Sequence, residues 1–205
     1  MSDGCDTHGR DNTHGRDNTH GSDDTDDGTL ELRGGQVTLR TVTADHVPRL
    51  RDILATPEVR GRWGDEAASA QWPFDDPSSV RFAVMTRDHS DGEADAEQIV
   101  AMIQYGEEDE PAYRHASIDI FLDPAAHGRH IGRDAVRVLA RHLIEDRGHH
   151  RLVIDPAADN AAAIRCYAAV GFRPVGTMRN YERDVDADTW HDGLLMDLLA
   201  AELET

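Results

Sequence analysis

After Leu122 the chain runs Asp123-Pro-Ala-Ala-His-Gly-Arg-His-Ile-Gly132-Arg133, small residues between a strand pattern and a helix pattern. Such a junction leaves backbone N–H groups free to face an anion. The helix start adds partial positive charge, and Arg129 and Arg133 add whole ones. Pyrophosphate binding is the chemistry this fits. The Gly-Lys-Ser/Thr ending of a nucleoside-triphosphate loop is absent, as is the Gly-x-Gly-x-x-Gly of a dinucleotide loop. A helix start that needs glycine only for its turn fits the same residues. Just upstream, Ser117-Ile-Asp-Ile-Phe-Leu122 reads as a strand, in which Ser117, Asp119 and Phe121 share one face and Ile118, Ile120 and Leu122 the other. Asp suits strands poorly, so Asp119 either meets solvent or points into a cleft. Tyr167 lies one helical turn before Gly171, where a core aromatic fits as well as a functional one. Its neighbour Cys166 has no His or acidic partner nearby in sequence and reads as a small buried thiol.

The elements that must position these groups alternate between strand and helix. Val37–Val42 alternates with period two, and residues 44–55 follow as a helix with Val47, Leu50 and Leu54 inward. Val80–Met85 and Gln98–Tyr105 are strands, joined by a polar, acidic hairpin connection over 88–97. Glu107–Glu110 with Pro111 reads as an acidic loop before the strand His115–Leu122. In the helix after Gly132, Val136, Leu139, Ala140 and Leu143 form one apolar stripe that Gly148 ends. Arg151–Ile154 is a short buried strand. Asp159-Asn160 caps a helix running to Val170, which Gly171 stops. Strands near 172–178 and 194–198 complete an α+β fold, a mixed sheet flanked by helices.

Composition narrows the function. The chain has 205 residues, enough for one ordinary domain, and its 21 basic residues are all Arg. With 40 acidic residues the net charge is −19, a surface that repels nucleic acid and attracts cations. Acidity that serves solubility alone fits the same numbers. No run approaches the ~20 apolar residues of a spanning helix. The N-terminal segment has no apolar stretch of the signal-peptide kind, so the expected location is the cytoplasm, with no membrane partner. Two cysteines, Cys5 and Cys166, are too few for a disulfide framework.

Residues 1–28 stand apart. Asp-Asn-Thr-His-Gly-Arg at 11–16 is anticipated at 6–10 and echoed at 17–21. Eight Asp and two Arg put −6 of the −19 here and leave −13 for residues 29–205. With no Leu, Ile, Val or aromatic residue, the segment has nothing to offset the entropy of ordering and is expected to be disordered. His8, His14 and His20 recur every six residues, a pattern that fits weak metal collection or a solvated tail. No metal is expected in the domain at 29–205.

The stretch Asn160-x-x-Ala-Ile-Arg-Cys-Tyr167-x-x-x-Gly-Phe172 resembles the GNAT superfamily of acyl-CoA-dependent N-acetyltransferases, and the similarity spans about residues 36–199. Ser117–Leu122, Asp155-Pro156 and Trp63-Gly64 lean toward aminoglycoside 6′-N-acetyltransferases. The resemblance implies a GNAT-like, mostly antiparallel sheet and acetyl-CoA as co-substrate. It implies that His127, Gly128, Arg129, His130, Ile131, Gly132 and Arg133 hold the CoA pyrophosphate, with Asn160 nearby, and that the Phe121 and Leu122 backbone pairs with the pantetheine arm. By the same resemblance Asp119 takes the proton from the attacking amine and Tyr167 protonates the leaving thiolate. Trp63, Gln104, Asp155 and Asp192 would line the acceptor pocket, with Glu107 and Glu108 overhanging it. An aminoglycoside amine is mostly protonated at neutral pH, so a carboxylate can both bind it and deprotonate it.

Two residues depart from the family pattern. His127 replaces a Gln or Arg, and His130 stands at the central glycine of the loop. If that position needs φ > 0, a Cβ costs ~1–2 kcal/mol there, and His130→Gly is expected to tighten acetyl-CoA binding. The leading expectation is an aminoglycoside 6′-N-acetyltransferase that confers antibiotic resistance, as monomer or homodimer. A GNAT enzyme acting on a protein N-terminus or a polyamine, and a silent acyl-CoA-binding module, are the rivals.

Overall fold

Period-two burial builds the sheet. In β2 (Val37–Thr41) the side chains of Val37 and Leu39 are buried, while Thr38 and Arg40 are not. In β3 (Ser79–Arg87) and β4 (Glu97–Glu108) consecutive residues are buried on both faces, and β5 (His115–Leu122) likewise buries Ile118 on one face and Phe121 on the other, so these three strands feed two cores. With β1 (Glu31–Arg33), β6 (Arg151–Ile154), β7 (Arg173–Arg183) and β8 (Trp190–Leu199) they make one eight-stranded sheet, ordered β1-β2-β3-β4-β5-β6-β8-β7. Every neighbouring pair is antiparallel except β5–β6. This computed structural model describes residues 29–64, 69–87, 97–183 and 188–203; the repeat segment and the acidic connection at 88–96 lie outside them.

One face of the sheet packs on α3 (Ile131–Arg141) and α4 (Ala161–Ala168), where Ile103, Tyr105, Ile118, Leu139 and Phe172 are buried together. The other carries α1 (Val47–Leu54) and α2 (Pro57–Trp63), with Leu50, Ile53, Met102 and Phe121 between them. The α+β class and the mostly antiparallel sheet are as the sequence led us to expect. The predicted stripe Val136, Leu139, Ala140 and Leu143 is fully buried, and the helix passes into a π-type turn at His142–Asp146 before Gly148 at φ +71°.

Four elements differ from expectation. The first helix is shorter, since Ala44–His46 is a 3₁₀ turn and α-geometry begins at Val47 with Pro48 in its first turn. Glu107 and Glu108 are not a loop: β4 runs through both and pairs them with Ala116 and His115. The last two strands are longer than their apolar centres, because β7 continues to Arg183 as the exposed edge of the sheet. Among the described residues no helix is long and apolar enough to cross a membrane.

Candidate active site

The parallel pairing of β5 with β6 is only two residues long, Ala116 with Leu152 and Ser117 with Val153. Beyond Ser117 the strands part, and backbone groups of β5 on that side lose their strand partner. Two cavities open along the gap, one of about 430 Å³ and one of about 570 Å³. They share Trp63, Ile120, Asn160 and Tyr167 in their walls, so Tyr167 stands where the two meet.

The larger cavity lies against the loop before α3. Asp123 starts that loop, its Oδ1 accepting from the Ala125 N–H at 2.8 Å. Gly128 takes φ +74°, and His130 takes φ +63°, ψ 9°, as the N-cap residue of α3. No side chain caps this helix, so the first-turn N–H groups of Ile131, Gly132 and Arg133 have no intrahelical acceptor. His127, Gly128, His130, Ile131, Gly132 and Arg133 line the cavity, as do Phe121 and Leu122. Arg129 is exposed on the loop and is not in the wall. At Gly132 a Cβ would sit 3.8 Å from Cys166 Sγ, so α3 and α4 meet closely here. Burial pushes the Cys166 thiol up, against a nucleophilic role.

Asp119, Gln104, Asp155, Trp63 and Tyr167 line the smaller cavity. Arg81, Gln104 and Asp119 are opposite one another on β3, β4 and β5. Arg81 Nε donates to Gln104 Oε1 at 2.9 Å, which turns the Gln104 amide nitrogen toward Asp119 Oδ2 at 3.4 Å. Arg81 in turn donates to the Pro73 carbonyl at 2.6 Å. Asn160 caps α4 through Oδ1, which accepts from Ala163 N–H at 3.2 Å. Trp63 meets Phe121 edge-on, with ring centroids 4.9 Å apart. Tyr167 is held by the helix end, where its carbonyl accepts from the N–H groups of Val170, Gly171 and Phe172. Burial, then the charges of Cys166, Asp119 and Asp155, hold its phenol well above the ordinary tyrosine range, so it stays protonated.

Three expected acceptor residues are elsewhere. Glu107 is an odd number of residues from Gln104 on β4 and therefore projects from the opposite face of the sheet. There its carboxylate accepts from Arg147 Nη2 at 2.7 Å and lies 2.6 Å from His149 Nε2. Glu108, near the strand end, accepts from the Glu110 N–H at 2.9 Å and is outside the cavity wall. Asp192 is also outside the wall, and its Oδ1 accepts from the Asn180 N–H at 2.8 Å.

Two residues that sequence reading missed come from β7. Asn180 adopts φ +48°, and the register with β8 shifts between Met178 and Glu182. The bulge lets Tyr181 and Glu182, adjacent in sequence, both line the smaller cavity. Tyr181 lies across Gly193, where a Cβ would come within 2.8 Å of its ring. Its hydroxyl donates to the Asp155 carboxylate, and this bond, then burial, pushes the phenol up to about 12. Burial raises the Glu182 carboxyl and the Asp155 charge raises it further, with His191 and Arg62 acting the other way. The cavity wall thus holds three carboxylates, Asp119, Asp155 and Glu182, against one guanidinium, Arg62. Arg62 itself bonds Asp159 at 2.7 Å.

Comparison with known proteins bears on the family and the fold. The family model of the acetyltransferase (GNAT) domain matches residues 36–173. N-alpha-acetyltransferase RimI of Mycobacterium tuberculosis is 35% identical over 80 residues, 39% of this chain and 48% of that protein. The chain therefore spans about half the length of this curated relative. Among solved structures, Mycobacterium smegmatis RimJ in complex with CoA-disulfide is 21% identical, with a TM-score of 0.67 over 86% of this chain and 89% of that one. Spermidine N-acetyltransferase from Vibrio cholerae, in complex with CoA and spermine, is 18% identical, with a TM-score of 0.65 over 82% of this chain and 97% of that one. At these identities the two structures establish the shared fold.

Proposed function

The chain belongs to the GNAT acetyltransferase family, and from that membership we propose that it moves an acetyl group from acetyl-CoA to a primary amine of a small polycationic acceptor. One observation carries the reading. The cavity with three carboxylates and a single, already paired guanidinium meets the loop cavity at a buried, protonated tyrosine. The uncapped start of α3 and the unpaired edge of β5 suit the pyrophosphate and pantetheine of CoA. Acetyl-CoA supplies an activated acyl group at the junction of the cavities.

The residues then divide the work. Asp119, steadied by Gln104 and Arg81, binds the acceptor ammonium and removes its proton, directly or through a water. The neutral amine forms the new N–C bond as the C–S bond breaks, and the acylated nitrogen then releases its extra proton to solvent to leave the neutral amide. Tyr167 gives its phenolic proton to the departing sulfur. Each proton transfer by a placed side chain is worth ~10²–10⁴-fold in rate.

The acceptor class follows from charge. Spermidine-like polyamines and aminoglycosides both present several ammonium groups, and the 6′-amine of an aminoglycoside is the acceptor the sequence resemblance favoured. A protein N-terminus is the second reading, supported by the 35% identity to an N-alpha-acetyltransferase. A thiol-release assay with acetyl-CoA separates them, using spermidine, kanamycin, tobramycin and an N-terminal peptide. We expect release with the polycations, lowered at least ~100-fold in Asp119→Ala and in Tyr167→Phe. Release with the peptide alone would replace the polycation with a protein substrate. Retained CoA binding without release from any acceptor would leave a binding module.

A further inference from the structure

The acceptor cavity holds more negative charge than one reacting ammonium uses. Asp119 on β5 serves the reaction, yet Asp155, after β6, and Glu182, on β7, enter the same cavity from the other side of the gap. Neither has an arginine of its own among the contacts described above. Asp155 accepts from the neutral Tyr181 hydroxyl. Glu182 has His191 Nε2 at 3.6 Å, an ion pair only when that imidazole is protonated. The nearby guanidinium, Arg62, is committed to Asp159. Burial, with the Asp155 charge adding to it, pushes the Glu182 carboxyl upward.

The placement of Glu182 is built. Asp192 Oδ1 holds the Asn180 N–H at 2.8 Å across the hairpin and so stabilises the left-handed backbone at Asn180. Without that bulge, strand alternation would turn either Tyr181 or Glu182 away from the cavity. Gly193 leaves room for the Tyr181 ring, whose hydroxyl fixes Asp155 beside it.

We propose that Glu182 and Asp155 form a second ammonium subsite, so that the protein selects acceptors carrying two or more amines over monoamines. The inference rests on the amine-acetyltransferase reading above and adds to it the residues that choose the acceptor. The amine held by Glu182 and Asp155 does not react. It places the other amine at Asp119, and that contact is lost to an acceptor with one nitrogen. Asp192 is a positioning residue for the subsite, acting through Asn180.

The test compares spermidine with butylamine as acceptors, using the full chain and saturating acetyl-CoA. We expect the ratio of kcat/KM for spermidine over butylamine to fall about tenfold or more in Glu182→Gln, mainly through KM, with partial recovery in Glu182→Asp. Asp192→Ala is expected to lower the same ratio by loosening the bulge. A ratio unchanged in Glu182→Gln, whether both rates fall or neither does, overturns the subsite. If the wild-type chain acetylates neither amine, the proposed function fails, and calorimetry still decides the subsite. Spermidine binding that exceeds butylamine binding, with the excess lost in Glu182→Gln, upholds it. Equal binding of the two amines, or an excess that survives the substitution, rejects it.

Discussion

His130 occupies left-handed backbone at φ +63° where the family pattern has glycine. A side chain with a Cβ pays ~1–2 kcal/mol for that conformation, less in a residue such as His that tolerates it better than most. The loop nevertheless keeps the shape that turns α3's first N–H groups toward the larger cavity. His130→Gly should therefore raise stability by about 1 kcal/mol in thermal unfolding. It should also tighten acetyl-CoA binding several-fold by calorimetry; unchanged or weaker binding would show that the imidazole itself contributes to the site. Tyr167 gives the opposite lesson. Its raised phenol makes it a reservoir of one proton across the neutral range rather than a base, which suits delivery to a leaving thiolate.

At the scale of elements, the splay of β5 from β6 makes the cavities, and the structure at its root keeps the strands together. Glu107 on β4 binds Arg147 and His149, in the segment that leads from α3 into β6. His149 is buried, and the Glu107 side chain is 17% exposed. The Arg147 hydrogen bond holds the Glu107 carboxyl below its ordinary value despite burial, with His149 adding to the effect. A carboxyl depressed in the folded state stabilises the fold above its unfolded pKa, and that stability is lost as pH falls through the folded value. Glu107→Gln should thus cost about 1–2 kcal/mol at pH 7. Its deficit relative to wild type should shrink below about pH 4.5 in urea titrations. A constant deficit from pH 7 to pH 3 would remove the ion pair from the account and leave only packing.

The whole molecule carries −19, with −13 in residues 29–205, and the smaller cavity, with Asp119, Asp155 and Glu182 in its wall, adds a local concentration of the same sign. A polycation approaching such a surface is steered by a field that salt screens. Raising ionic strength from about 0.01 M to 0.15 M shortens the Debye length from roughly 30 Å to 8 Å. Spermidine kcat/KM should fall with that change by several-fold more than butylamine kcat/KM. An equal response of both would mean that steering plays no part. The family model ends at residue 173, so the β7–β8 hairpin that supplies Tyr181, Glu182 and Asp192 lies beyond it. Asp119 and Asp155 of the smaller cavity lie within the matched residues, whereas Tyr181 and Glu182 come from the hairpin that follows them.

Local pattern was enough for the face of Asp119, because strand alternation forces it opposite Ile118 whatever packs around it. It was enough for the buried stripe of α3 and for the loop that opens that helix, since periodicity, small residues and a glycine stop act over a few neighbours. Glu107 was misread for a reason of the same kind in reverse: four consecutive acidic residues look like a loop, and only pairing with β5 shows that β4 continues through the first two of them. The wall of the smaller cavity needed the folded chain. Tyr181 and Glu182 enter one cavity because a bulge at Asn180 breaks the alternation, and the bulge is held by Asp192, twelve residues further along on the partner strand. The sequence by itself determined which residues face which way within each element; which of them share a cavity was decided by long-range hydrogen bonds and strand register that no local pattern encodes.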